Sequence, residues 1–151
     1  MAQTGWILFV VMSLIAVAMA YNFIYQGKVE LAPDNRTAVL LESSERDFVM
    51  LEMRAFLEAV QQISEGIEKD DMQLVAKAAR KVGSADLVHV PGTLMSKLPL
   101  AFKTMGLNVH KSFDQMAMDA EQLGDKDHTH AQLNQILPAC TACHSLYSIK
   151  L

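Results

Sequence analysis

The sequence has few of the features that define several common classes of protein. It has 2 cysteines in 151 residues, and no second pair with which to build a disulfide framework. The net charge is only -4, and no basic stripe is interleaved with aromatic residues, which argues against binding to nucleic acid. There is neither a nucleophile with a base and an orienting group nor a glycine-rich phosphate loop. We therefore expect neither hydrolytic nor transferase chemistry.

Charged residues are absent from the beginning of the chain, and none precedes Lys28. Within this stretch, Gly5 to Tyr25 is apolar and long enough to cross a hydrocarbon core of ~30 Å as a helix. Trp6 lies near one end and Tyr21 near the other, as aromatic residues do at the two surfaces of a membrane. We predict a transmembrane anchor over residues 1–26.

The same segment has a second interpretation, which is a cleaved signal peptide. Ala18-Met19-Ala20 resembles a cleavage site. However, no lysine or arginine precedes Trp6, where a signal peptide is normally basic, and the apolar run continues past the site to Ile24. We favour an uncleaved anchor.

Residues 27–43 are predicted to be a linker, in which Pro33-Asp34-Asn35 marks a break. The apolar stretch 37–41 leaves two interpretations open. It is either an early start of the first helix of the following domain or a strip on which a partner subunit docks.

Residues 44–151 contain four amphipathic helical patterns and no sustained alternation of the kind that strands show. The first helix is predicted to begin at a capping box, Ser44-Glu45-Arg46-Asp47, and the second to run from Asp70 or Asp71 to a point before Val90. The third is predicted to run from Pro99 to Gly124, and the fourth to begin at Asp125 or Asp127. Pro138 predicts a kink or a restart in the fourth helix. Short loops between these helices favour an all-α, antiparallel four-helix bundle.

The residues Cys140-Thr141-Ala142-Cys143-His144 form the C-x-x-C-H signature of covalent haem attachment. Two cysteines three apart on a helix point the same way, so each thiol can add to one vinyl group of the porphyrin. The adjacent His144 then becomes the proximal iron ligand. The motif predicts one covalently bound haem c.

Two other sites could use the same cysteines. A thioredoxin-like C-x-x-C normally opens a helix beside strands, but no strand pattern surrounds this one. A structural zinc site needs four ligands, and His128 and His130 lie about three turns away on the same predicted helix. We therefore prefer haem to either alternative.

Residues 44–147 resemble the cytochrome c′ family, including its low-spin, methionine-ligated relatives. The matching motifs are Arg46-x-x-x-Met50, Val90-Pro91-Gly92-Thr93 and Cys140-x-x-Cys143-His144-x-x-Tyr147. The chain departs from the family in having Ser148 where a basic residue usually follows the tyrosine. It also carries a predicted anchor, whereas most members are soluble.

The resemblance implies a haem lying between the helices of the bundle. It puts Met50 at the distal position facing the iron, with Met53 one turn further on as the alternative ligand. It also puts Arg46 on the same face, where it could pair with a haem propionate. Because haem is attached outside the cytoplasm, the N-terminus is expected inside and the haem domain in the periplasm, anchored to the inner membrane by one pass.

The identity of the sixth iron ligand determines the expected function. Ligation by Met50 gives a six-coordinate, low-spin site suited to passing single electrons. Without it, the site is five-coordinate and could bind a small gas such as nitric oxide, as high-spin members of the family do. Because an anchor keeps a carrier beside membrane redox enzymes, we favour electron transfer over gas binding, and we expect an electron carrier rather than an enzyme.

The expected partners are the membrane and protein redox partners of a respiratory or photosynthetic chain. The chain could act as a free tethered shuttle or as a subunit of a larger membrane complex. The sequence leaves open whether the domain pairs with a second copy of itself. No nucleic acid is expected among the partners.

Overall fold

A computed structural model describes residues 2–151; Met1, the first residue of the predicted anchor, lies outside the described part. Within that part the chain is mostly helical, with six α-helices and three short β-strands. They are α1 (Ala2–Ala20), β1 (Val29–Leu31), β2 (Thr37–Leu40), α2 (Ser43–Lys69), α3 (Met72–Arg80), α4 (Gly92–Lys97), α5 (Leu100–Gln122), α6 (Lys126–Leu146) and β3 (Tyr147–Lys150). A π-helical segment covers Tyr21–Gln26, and a 3-10 segment covers Ser84–His89.

Helix α1 and the π-helical segment after it form one long apolar rod. The most apolar 18-residue window within Thr4–Gln26 has a mean hydropathy of 2.4, and no part of that window is buried against the rest of the chain. By length and composition Thr4–Gln26 is sufficient to cross a membrane. The rod ends at Gly27, whose φ of 69° is open to glycine but strained for other residues.

The main core is built where α2, α3, α5 and α6 pack together, because each presents an apolar stripe to the others. Ile63 of α2, Val75 of α3 and Phe113 of α5 have no exposed surface, and Ile136 of α6 is buried beside them. The predicted helical patterns are therefore confirmed as core-forming helices.

The helix starts follow the predicted caps in two of three cases. The carboxylate of Asp71 accepts the N–H of Leu74 at 2.9 Å, and that of Asp125 accepts the N–H groups of Asp127 and His128. The predicted capping box of the first helix is wrong by two residues. Glu42 is the N-cap, and its N–H donates to the carboxylate of Glu45 at 2.9 Å.

Helix α3 stops at Arg80, well before the predicted end near Val90. The side chain of Asp114 on α5 accepts hydrogen bonds from both the N–H and the hydroxyl of Ser84. These bonds draw the chain out of the helix, and a 3-10 segment and the unpredicted short helix α4 follow. The helix end is therefore set by a residue 30 positions away.

A three-stranded sheet was not predicted and corrects the all-α expectation. β2 is its central strand, pairing antiparallel with β1 and parallel with β3 from the other end of the chain. Ala38 and Val39 of β2 are buried by the chain itself. The apolar stretch 37–41 is therefore not an early helix start, and its buried side chains are not available to a docking partner.

Pro138 does not interrupt α6, which runs unbroken from Lys126 to Leu146. The expectation that the helix restarts there is wrong. The proline ring is exposed, and the Pro138 carbonyl still accepts a hydrogen bond from the Thr141 hydroxyl at 3.0 Å. The C-terminal turns of α6, which carry the cysteines, thus remain helical.

Candidate functional site

A cavity of about 460 Å³ lies between α2, the 3-10 segment, α4, α5 and α6. Its wall is almost entirely apolar, and its volume falls in the range of about 300–1,000 Å³ that small-molecule and cofactor sites occupy. The side chains of Cys140, Cys143 and His144 all contribute to this wall. The last two turns of α6 therefore bring the whole C-x-x-C-H motif to one cavity.

The two thiols are half-buried and not linked by a disulfide. Burial raises the pKa of the Cys140 thiol. The pKa of the Cys143 thiol is also raised, mainly by burial and to a smaller extent by the charge of the neighbouring Cys140. Redox-active cysteines usually have lowered pKa values, because the thiolate is the reactive form. The electrostatics of the pair therefore do not favour a dithiol redox centre.

The alternative zinc set is not assembled. Among residues 2–151, no group of three histidine, cysteine or acidic side chains is close enough to hold a metal ion on its own. His128 instead lies 3.3 Å from a carboxylate oxygen of Asp119, and His130 is exposed. The cavity at the cysteines thus lacks the four-ligand shell of a structural zinc site.

The structure separates the two candidate distal ligands. Met53 lies in the cavity wall together with the cysteines and His144. Both methionines pack against a second apolar cluster around Val39 and Leu94, but Met50 does not contribute to the cavity wall. The assignment of an iron ligand stays a prediction for both residues, but only Met53 shares the cavity with the C-x-x-C-H motif.

The proposed propionate partner Arg46 is exposed and lies outside the cavity wall. Its guanidinium forms an ion pair with the adjacent Asp47 at 3.2 Å. Lys103 of α5 is the only lysine or arginine that the described residues contribute to the wall. The sequence analysis did not identify it, although it directly follows Phe102, an apolar residue in the first turn of α5 that also lines the cavity.

His110 of α5 is buried, and its Nδ1 lies 2.8 Å from the carbonyl oxygen of Val82. Because a carbonyl can only accept, Nδ1 carries the proton and donates it. The ring packs against Phe56 with centroids 4.9 Å apart. His110 is therefore a packing residue of the core that also lines the cavity.

Gly106 shows where the cavity wall leaves open space beside the backbone. It lies in the interior of α5 and in the cavity wall, and its backbone does not require glycine, since its φ is not positive. A Cβ added there would meet no atom within 4 Å. Glycine inside a helix is unfavourable, and it often marks a place where a ligand approaches the backbone closely.

The residues present fit a haem. The apolar wall suits a porphyrin, two thiols one helical turn apart suit its vinyl groups, and an imidazole adjoins the second thiol. The open space beside Gly106 provides room that the protein's own side chains leave unfilled. Cys140, Cys143 and His144 are the residues that would hold the group.

Comparison of the chain with family models, with curated proteins and with solved structures found no match. The resemblance of its motifs to the cytochrome c′ family therefore stays a prediction.

Proposed function

We propose that this chain is a membrane-anchored c-type cytochrome that transfers single electrons and carries one covalent haem c. The observation that carries the proposal is the placement of Cys140, Cys143 and His144 in the wall of one apolar cavity. In this proposal, α2, α3, α5 and α6 are the four-helix bundle of a cytochrome c′-like domain. The haem, when bound, supplies an iron centre that gains and loses one electron reversibly.

The chain's own residues hold the group and control its surroundings. Cys140 and Cys143 would hold it through thioether bonds, and His144 would supply a nitrogen ligand to its iron. The apolar wall, with Phe56 and Phe113 stacked 5.6 Å apart, keeps water away from the ring. Low access of water raises the cost of ferric charge, which favours the reduced form.

Met53 is the proposed sixth ligand. It lies on α2, which packs against α6, and it lines the same cavity as His144, so it would be within reach of an iron held there. A thioether ligand stabilises ferrous iron and raises the reduction potential. A closed six-coordinate site also changes little between its two oxidation states, which suits electron transfer.

The anchor defines the proposed location. Thr4–Gln26 would cross the inner membrane once, with the haem domain in the periplasm. Tethering raises the concentration of the carrier beside membrane redox enzymes without any new contact. The proposed partners are such enzymes, met either as a free tethered shuttle or within a membrane complex.

Haem attachment is tested by the mass of the protein made in cells with a working haem-attachment system. We expect the polypeptide mass plus one haem, and the loss of that addition in Cys140→Ala/Cys143→Ala. Recovery of the bare polypeptide mass from the unaltered chain would refute the proposed function.

The sixth ligand is tested with a matched pair, Met53→Ala and Met50→Ala. Visible and near-infrared spectra of the ferric protein should show a methionine-to-iron charge-transfer band that Met53→Ala abolishes and Met50→Ala retains. Both side chains are half-buried, so the two variants lose comparable packing and differ mainly in access to the cavity. The opposite pattern would assign the ligand to Met50.

A five-coordinate, gas-binding site is the second candidate, and the apolar residues that follow Glu52 and Met53 along the α2 side of the cavity favour it. Phe56, Leu57 and Val60 offer no polar group to a distal ligand. If no methionine binds, a small diatomic such as nitric oxide would find an open apolar distal pocket. Rapid binding of carbon monoxide by the reduced protein would support this function, and a failure to bind would exclude it.

A further inference from the structure

We propose that Lys103 binds a carboxylate of the cofactor, a haem propionate, and so ties the cofactor to the end of the membrane anchor. This inference rests on the haem site proposed above. It assigns to Lys103 a role that the sequence motifs had suggested for Arg46.

The placement of the ammonium group is the first observation. Lys103 lies in the first turn of α5, is half-buried and contributes to the cavity wall. Its Nζ donates to the carbonyl oxygens of Ile24 at 3.3 Å and Met95 at 3.2 Å. An ammonium group has three N–H donors, so one remains for a further acceptor.

The charge balance around Lys103 is the second observation. Among the described residues, no carboxylate lies within ion-pair distance of its Nζ, although Glu52 also belongs to the cavity wall. A partly buried charge that has only neutral acceptors is unfavourable. A haem would bring two carboxylates into this mostly apolar cavity, and Lys103 is the only lysine or arginine that the described residues contribute to its wall.

Arg46 is less suited to the same role. It is exposed, it already pairs with Asp47 at 3.2 Å, and it is not part of the wall. The side chain of Lys97 is also occupied, because its Nζ lies 2.6 Å from a carboxylate oxygen of Glu45. Of these three cations, only Lys103 combines access to the cavity with the lack of an acidic partner.

The contact with Ile24 connects this site to the anchor. The carbonyl of Ile24 belongs to the last turn of the π-helical segment, where backbone oxygens lack donors within the helix. A lysine at such an end is favourable, because it also meets the negative end of the helix dipole. The N–H of Lys28 donates to the carbonyl of Lys97 at 2.7 Å and holds the same junction together. Lys103 thus places the anionic end of the cofactor at the junction between anchor and haem domain.

Removing this cation should change the redox equilibrium. A positive charge beside the cofactor disfavours the ferric state, which carries one more positive charge than the ferrous state. Loss of that charge should raise the ratio of oxidised to reduced protein at a fixed solution potential by about tenfold. For a one-electron couple this is a fall in midpoint potential of about 59 mV.

The test is a redox titration of full-length, haem-loaded Lys103→Met in detergent. The control is Lys111→Met, which removes an exposed lysine from the same helix. We expect a lower midpoint potential for Lys103→Met, no shift for Lys111→Met or Arg46→Met, and recovery in Lys103→Arg, which keeps the charge. A midpoint of Lys103→Met equal to that of Lys111→Met would overturn the inference, as would a shift found only in Arg46→Met.

A second variant distinguishes the propionate from the nearby carboxylate. If Lys103 acts on the cofactor, Lys103→Met should produce the same shift in a Glu52→Gln background. Disappearance of the shift there would mean that Glu52 is the true partner and would also overturn the inference. The mass of each protein distinguishes the two proposals. Absence of haem from the unaltered chain would refute the proposed cytochrome function. An unshifted midpoint potential in a Lys103→Met protein that does carry haem would refute only the role of Lys103.

Discussion

Replacing Gly106 with leucine tests directly whether the cavity is a cofactor site. Gly106 belongs to the cavity wall and no atom of the protein lies within 4 Å of an added Cβ, so a leucine there has room to occupy part of the cavity. If nothing else fills that space, removing the helical glycine contributes up to about 1 kcal/mol of stability. Burying the leucine contributes roughly another 1.5–3 kcal/mol. If a haem occupies the space, overpacking instead costs about 1–3 kcal/mol. The sign of the change therefore reports whether the cavity is filled.

The assay is urea denaturation of the purified holoprotein, together with its mass and absorption spectrum. We expect Gly106→Leu to lower haem occupancy or to perturb the spectrum of the protein that retains haem, and to lower stability. Full occupancy, an unchanged spectrum and a gain in stability would refute the reasoning.

The matched control is Gly66→Ala, far from the motif at the contact of α2 with α3. A Cβ there would lie 2.7 Å from Cγ2 of Val75 and 3.0 Å from the carbonyl oxygen of Asp71. The backbone contact cannot yield without moving the start of α3, so the overpacking cost of about 1–3 kcal/mol should exceed the gain in helix propensity. Gly66→Ala should therefore lower stability and leave the haem spectrum unchanged.

Two further predictions concern the stability of the helical domain. The hydrogen bond from Lys97 lowers the pKa of Glu45 below its ordinary value of 4.5. The stabilisation from this pair is therefore present above pH 4.5 and is lost as the pH falls through the lowered value. Glu45→Gln should reduce the melting temperature at pH 7 but not at strongly acid pH, and an equal reduction at both would contradict this account. Asp71→Ala should cost about 1 kcal/mol in urea denaturation, because the N–H of Leu74 loses its cap; an unchanged midpoint would show that water replaces the carboxylate at no cost.

Features that depend on neighbouring residues were predicted well from the sequence. The apolar run that forms the rod Thr4–Gln26, the caps at Asp71 and Asp125 and the helix start after Pro99 all agree with the structure. Each follows from hydropathy or from hydrogen bonds that close within four residues. The placement of Cys140 and Cys143 on one side of a helix is also a local feature, because one helical turn separates them.

Features that depend on distant partners were decided by the tertiary structure. β2 pairs with the nearby strand β1 on one edge, but its other edge is completed by the C-terminal strand β3, more than 100 positions along the chain. Asp114 ends α3 through Ser84, 30 positions away. Such contacts leave no periodic trace in the sequence of either segment.

The composition of the cavity wall is the most consequential of these features. The sequence by itself determined that two thiols and an imidazole lie together near the end of the last helix. It could not determine whether Met50 or Met53 meets them, or that Lys103 rather than Arg46 shares their cavity. Residues one turn apart on a helix have equivalent local patterns, and only the packing of α2, α5 and α6 against one another decides which of them reaches the cavity.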